Sequence, residues 1–113
     1  MSDLSAEDAK LVTLARATRT RAGAAEGAAL RDADGRTYAG ATVDLPSLHV
    51  SAVGACVAMA VAAGVRGVEA VVVLTEQDEV PRADRAVLAE LGGAGVTVHR
   101  GEPRGTVLES FRT

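Results

Sequence analysis

Gly27-Ala28-Ala29-Leu30-Arg31-Asp32-Ala33-Asp34-Gly35-Arg36-Thr37-Tyr38-Ala39-Gly40-Ala41-Thr42-Val43 is the stretch that decides the fold. Its first part extends an apolar run that starts at Ala25 and ends at Arg31. Asp32-Ala33-Asp34-Gly35 follows, a turn signal in which Asp favours the turn and Gly takes positive φ at little cost. The neighbouring Asp32 and Asp34 are therefore turn residues rather than paired catalytic carboxylates. Arg36 to Val43, with Tyr38 inside it, is the return strand. Together the runs predict a β-hairpin.

Upstream of the hairpin, Ser5-Ala6-Glu7-Asp8 reads as a capped helix start, with Asp8 placed to reach back as in a capping box. Acidic residues in the first turn and Arg16, Arg19 and Arg21 at the end suit the helix dipole. Leu11, Leu14, Ala15 and Ala22 form a mostly apolar face with Thr18 among them, and Gly23 is the stop. Downstream, Leu45-Pro46-Ser47 breaks the strand, and Ser47 is placed to cap a helix over Leu48 to Ala63. That helix is apolar nearly all round, so it is expected to be buried on most sides. Gly54 costs it roughly 1 kcal/mol against Ala, and close approach of another backbone is the expected reason for its presence. Val68 to Leu74 reads as a central strand covered on both faces. Pro81 opens a third helix running to about Leu91, and Val96 to His99 is the next strand. One more short element is expected around Val107 to Phe111. The predicted order is α-β-β-α-β-α-β. A hairpin followed by helix-strand units implies helices on both faces of one mixed sheet, a three-layer α/β/α fold.

The 113 residues suit one domain spanning 1–113. The formal net charge is -3, and the basic residues, eleven Arg and Lys10, are spread along the chain. That argues against a nucleic-acid partner, which needs a clustered basic face. Tyr38 and Phe111 are the aromatic residues, so the core must be filled by Val, Leu and Ala. Such a core is thin, and association of subunits is a common remedy. Cys56 is the single cysteine, which excludes an intrachain disulfide and fits a reducing compartment. The first residues carry no secretory pattern, and Leu48 to Gly64 is too short and too weakly apolar to span a bilayer. The chain reads as soluble and cytoplasmic, with no membrane partner.

Several of these segments carry a resemblance. Gly27-Ala-Ala-Leu30, Asp34-Gly35-Arg36, Tyr38, Gly40-Ala-Thr-Val43 and Val87-Leu88-Ala89-Glu90-Leu91 resemble, in order and spacing, the framework of the cytidine deaminase family. The similarity covers Leu11 to Leu91. It implies the cytidine deaminase-like fold, in which three thiolate or imidazole ligands hold zinc, leave one position for water and lower the pKa of that water towards about 7. A glutamate then moves the protons.

Carried across residue by residue, the first zinc cysteine falls on Val53 and the glutamate on Ala55. The second-motif cysteines fall on Pro81 and Asp84, and the ribose-binding Asn-x-Glu falls on Thr42 and Asp44. The aromatic residue that precedes Gly27 in the family is replaced by Ala24 or Ala25. Val and Ala side chains offer no lone pair, Pro offers neither a ligand nor an N–H, and Asp84 alone is one carboxylate. The expected protein therefore has this fold without zinc or any other cofactor, and without deaminase activity. It binds a nucleoside or nucleotide, or another protein, as a homodimer or homotetramer like members of the family it resembles. The alternative is an active cytidine or nucleoside deaminase with an atypical metal site. His49, Val53 and Cys56 would share one face of the predicted helix, and His49 and Cys56 with Asp84 or His99 are the candidate replacement ligands. Against this stands the plainer reading of Cys56 as a small buried apolar residue. Arg82 and Arg85, in the first turn of the third helix, are candidates either for pairing with Glu76, Asp78 or Glu79 or for holding an anion such as a nucleotide phosphate.

Overall fold

The hairpin forms where the sequence places it. The computed structural model describes residues 4–113. In it β1 (Gly27–Asp32) pairs antiparallel with β2 (Thr37–Ala41), with Gly27 opposite Ala41 and Leu30 opposite Tyr38. Asp32 organises the turn. Its Oδ1 accepts from the N–H groups of Asp34 and Arg36, each at 2.9 Å, and its Oδ2 accepts from the Tyr38 hydroxyl at 3.1 Å. Burial pulls the Asp32 carboxyl up, but these donors outweigh it and hold the group below the ordinary carboxylate range. Gly35 takes φ 86°.

The first helix, α1 (Ala6–Ala22), starts under the Ser5 side chain, which accepts from the Asp8 N–H at 3.0 Å. Gly23, at φ 64°, ends it. The cap is as expected, but the Asp8 carboxylate does not reach back to the helix start. It faces the sheet, where Oδ1 accepts from Arg31 at 2.8 Å and Oδ2 meets His99 at 2.9 Å. The buried face is Leu11, Val12 and Ala15, with Leu14 half-buried and Ala22 exposed at the end.

The segment after the hairpin departs from the reading. Val43–Leu45 and Leu48–Val50 are strands, β3 and β4, which pair antiparallel around Pro46 and Ser47 with Leu45 opposite Leu48. Helix α2 therefore spans Ala52–Ala62, and its cap is Ser51, whose Oγ accepts from the Gly54 N–H at 2.9 Å. Ser47 caps nothing. Both serines precede apolar residues, so local propensity did not choose between them. Pairing of Val43 with Val50 did. The remaining elements are β5 (Val68–Leu74), α3 (Arg82–Gly92), β6 (Thr97–Gly101) and β7 (Val107–Arg112).

The main sheet has the order β2-β1-β5-β6-β7. Only β5 and β6 are parallel, so the sheet is mixed and the fold is α/β, as expected. Strand alternation sends Ala28, Leu30, Val71, Val73 and Val98 towards Val53, Cys56, Ala60 and Leu88 on one side. Ala29, Ala70, Val72 and Leu74 face Leu11, Val12 and Ala15 of α1 on the other. The glycine that admits a neighbouring backbone is Gly40 rather than Gly54. A Cβ on Gly40 would lie 2.9 Å from both Ala52 O and Ala55 C, and nearer still to the Cys56 nitrogen. A Cβ on Gly54 would meet only side chains, Val50 at 3.1 Å and Ser51 at 3.2 Å.

The cluster under α1 has a pH consequence. Burial alone would raise the Asp8 carboxyl, but hydrogen bonds and charge from His99 and Arg31 hold it below its ordinary value. A depressed carboxylate stabilises the fold above its unfolded pKa and loses that contribution as the pH falls through the folded value. Asp8→Asn is expected to cost about 1–3 kcal/mol at pH 7. The deficit should shrink at about pH 3, below the ordinary Asp range. Denaturant titrations of both proteins at the two pH values check this, and an equal deficit at both would contradict it.

Candidate functional site

Register fixes which end of the sheet carries the site. Gly27 lies opposite Leu74, and Leu74 lies beside Gly101, so the start of β1 and the ends of β5 and β6 share one edge. Ligands of open α/β sheets bind outside the carboxyl ends of the strands. At this edge α1 ends, β2 passes into β3, and α2 and α3 begin.

Ala22 to Ala25 and Thr42 to Leu45 enclose a cleft of ≈ 420 Å³ at this edge. A neighbouring hollow of ≈ 260 Å³ is lined by Thr42, Val43, Asp44, His49, Val50 and Ser51. Thr42 and Asp44, chosen from the sequence, thus stand together in both. Thr42 Oγ1 accepts from the Glu26 N–H at 3.0 Å and turns its proton towards the Glu26 carbonyl at 3.3 Å. Its outward role is therefore as an acceptor. Asp44 is 80% exposed and pairs across the β3-β4 hairpin with His49 at 2.9 Å. Ala24 and Ala25 form the opposite wall and offer no ring on which a base could stack.

Glu26 was not singled out in the sequence. Its Oε2 accepts from the buried hydroxyl of Thr75 at 2.6 Å, and Thr75 Oγ1 in turn accepts from the Gln77 N–H at 3.1 Å. The cluster ties β1, β2 and the loop after β5 together beneath the cleft. The available signal was a lone charge between Ala25 and Gly27, at the mouth of an apolar strand.

The junction between α2 and α3 is built of other chemistry. Val53 is buried in the core, Ala55 is half-buried, and Pro81 caps α3 without a side-chain bond. Ser51 Oγ donates to Asp84 Oδ1 at 2.8 Å and joins the two helix starts directly. Cys56 is buried, its Sγ donates to the Tyr38 carbonyl at 3.3 Å, and burial pushes its thiol up to about 12. The thiol is thus turned onto a main-chain carbonyl inside the core, as a small buried residue is. His49 lies on β4 rather than on α2, so the expected helical face of His49, Val53 and Cys56 does not exist. His99 lies under α1, bonded to Asp8 and Ser110. Among the described residues no three His, Cys, Asp or Glu side chains gather as a potential metal group. This donor set does not fit a zinc ion held by three thiolate or imidazole ligands.

Arg85 forms none of the expected pairs with Glu76, Asp78 or Glu79. Its Nε donates to the Val80 carbonyl at 3.1 Å, and its guanidinium lies 4.4 Å from the centre of the Phe111 ring, a cation–π contact that offsets its unfavourable place at a helix start. Arg82 is exposed, and neither arginine lines the cleft. Among the described residues no helix is long and apolar enough to cross a membrane.

The model of the family described as "cytidine deaminase-like" matches residues 4–105. The chain belongs to that family. Among solved structures it is similar to the cytidine deaminase of Burkholderia pseudomallei, with 27% identity, TM-score 0.80, and coverage of 96% of this chain and 92% of that one. The cytidine deaminase of Mycobacterium tuberculosis matches at 26% identity and TM-score 0.63, over 76% of this chain and 81% of that one. That of Mycobacterium leprae shares the fold at 24% identity and TM-score 0.72, over 93% of each chain. Among curated proteins there is no significant match. This family member thus shares the α/β fold of those structures.

Proposed function

We propose that this is a zinc-free, non-deaminating member of the cytidine deaminase-like family that binds a nucleoside or nucleotide. The observation that carries the reading is the junction of α2 and α3. Val53, Ala55 and Pro81 stand at positions where the resemblance places ligands and acid/base, and the Ser51–Asp84 hydrogen bond occupies the space between the helix starts. Generating hydroxide near neutral pH needs a Lewis acid or a strong base, and these side chains supply neither. Binding is a different matter. Thr42 and Asp44 still face a cleft large enough for a small polar ligand, and an acceptor and a carboxylate suit sugar hydroxyls.

Homo-oligomerisation is part of the same proposal. Helix α2 carries no charged residue, and Met59 and Val61 are 59% and 58% exposed on it. An uncharged helix face of this kind gains by covering itself.

The test is metal analysis of the purified protein together with calorimetric titration of cytidine, uridine and their monophosphates. Substoichiometric zinc, no cytidine turnover and saturable nucleoside binding weakened about tenfold or more by Asp44→Ala are expected. Light scattering on the same sample reads the subunit number. One firmly held zinc per chain, with cytidine turnover abolished by a chelator, would overturn the proposal in favour of an active deaminase.

A further inference from the structure

Away from the cleft, the cluster under α1 ends in a serine, and sheet pairing explains its geometry. The Thr113 N–H donates to the Val96 carbonyl at 3.0 Å. Antiparallel alternation then makes Val98 and Phe111 a hydrogen-bonded pair and leaves His99 and Ser110 as the non-hydrogen-bonded pair beside them. Side chains approach most closely in such a pair. Ser110 Oγ lies 2.7 Å from His99 Nδ1, and His99 Nε2 lies 2.9 Å from Asp8 Oδ2.

The proton positions follow from the partners. The Asp8 carboxylate only accepts, so in the neutral ring Nε2 carries the hydrogen and Nδ1 accepts the Ser110 O–H. Asp8 is itself fixed, because its Oδ1 accepts from Arg31 at 2.8 Å and Arg31 donates to Glu69 at 2.9 Å. His99 is buried, whereas Ser110 is exposed on β7, the last strand of the sheet order. The same alternation turns the Ser110 N–H away from β6, towards the open side of that strand.

A hydroxyl on an imidazole whose second nitrogen is held by a carboxylate is the arrangement that activates serine for attack. We infer that Ser110 is an activated nucleophile and a covalent modification site for small activated acyl esters, with His99 as its base and Asp8 as a positioning residue. In the step, Ser110 Oγ forms a bond to the acyl carbon as the bond from that carbon to its aryl oxide breaks. The Oγ proton passes to His99 Nδ1 and from there to the departing aryl oxide. The outward Ser110 N–H is a donor for the carbonyl oxygen as charge develops on it. Exposure on an edge strand admits small, unhindered acyl groups.

The experiment treats the full chain with p-nitrophenyl acetate and maps acetylated peptides by mass spectrometry over time. Ser110 should acetylate about 100-fold faster than the exposed Ser47, the scale of positioned general-base assistance. His99→Gln should remove most of that advantage. Asp8→Asn should reduce it and Asp8→Glu restore part of it, which a merely structural carboxylate would not do. Ser110→Ala should remove the acetylated peptide with the circular dichroism unchanged. Equal rates at Ser110 and Ser47 in the unmodified protein would overturn the inference, and that comparison needs no variant to fold. An unchanged rate in a folded His99→Gln protein would overturn it as well.

Discussion

Gly40→Val is expected to cost the fold about 4 kcal/mol or more, the largest loss expected of a single substitution in this chain. Gly40 sits in β2 where the strand passes under the first turns of α2, and the helix backbone fills the space that a side chain needs. A Cβ there would press on Ala52 O, Ala55 C and Cys56 N, all main-chain atoms, so no rotamer change relieves the clash. The sheet or the helix must move, and both belong to the core formed with Leu30, Val53 and Cys56. Overpacking usually costs 1–3 kcal/mol where side chains can give way, and a rigid backbone clash puts the cost at about 4 kcal/mol or more. A domain of this size has roughly 5–15 kcal/mol in total. Gly54→Ala is the internal control. Its Cβ meets only the side chains of Val50 and Ser51, and it removes a helix-interior glycine, so a change of less than about 1 kcal/mol is expected. Thermal and denaturant unfolding of both variants decides. A Gly40→Val protein as stable as the parent would mean that α2 does not lie on β2 this closely.

The second large effect is a gain. Val53→Cys, Pro81→Cys and Asp84→Cys together are expected to create a zinc site holding about one ion per chain, with an apparent binding free energy on the order of 10 kcal/mol. The argument is positional. Asp84 already reaches Ser51 across the helix starts, so the start of α2, which carries Val53, lies against the start of α3, which carries Pro81 and Asp84. Replacing Pro81 also returns a backbone N–H to the start of α3. Cobalt substitution gives the readout, since thiolate coordination produces an intense charge-transfer band. Adding Ala55→Glu places a carboxylate where the resemblance puts the acid/base group, and slow cytidine turnover is then expected. A folded triple variant with no cobalt band would show that these positions do not converge, and the carry-over of the motif would fail.

The hairpin was legible because its signal is local. Asp32 and Gly35 fix a turn through their own side chain and φ, whatever surrounds them. The Ser5 cap, the Gly23 stop, the buried Val68–Leu74 strand and the third helix are local in the same sense. The start of α2 was not legible, since Ser47 and Ser51 are equivalent caps until β3 and β4 pair. His49 moved from helix to strand for that reason, and the proposed metal face disappeared with it. Thr42 and Asp44, named as candidates from the sequence, line the cleft, whereas nothing in the sequence pointed to what Glu26 does. Its role depends on Thr75, which comes from another strand's end.

Composition and periodicity determined that this chain would form helices against both faces of a mixed sheet, because apolar spacing and turn chemistry act over a few residues. The resemblance to the cytidine deaminase framework singled out Val53, Ala55 and Pro81, whose hydrocarbon side chains carry no lone pair in any fold. Only the tertiary structure decided what stands there instead and what meets elsewhere. The Ser51–Asp84 bond and the Asp8–His99–Ser110 chain join residues far apart in sequence. Such meetings are set by strand order and register, to which no short window of sequence has access.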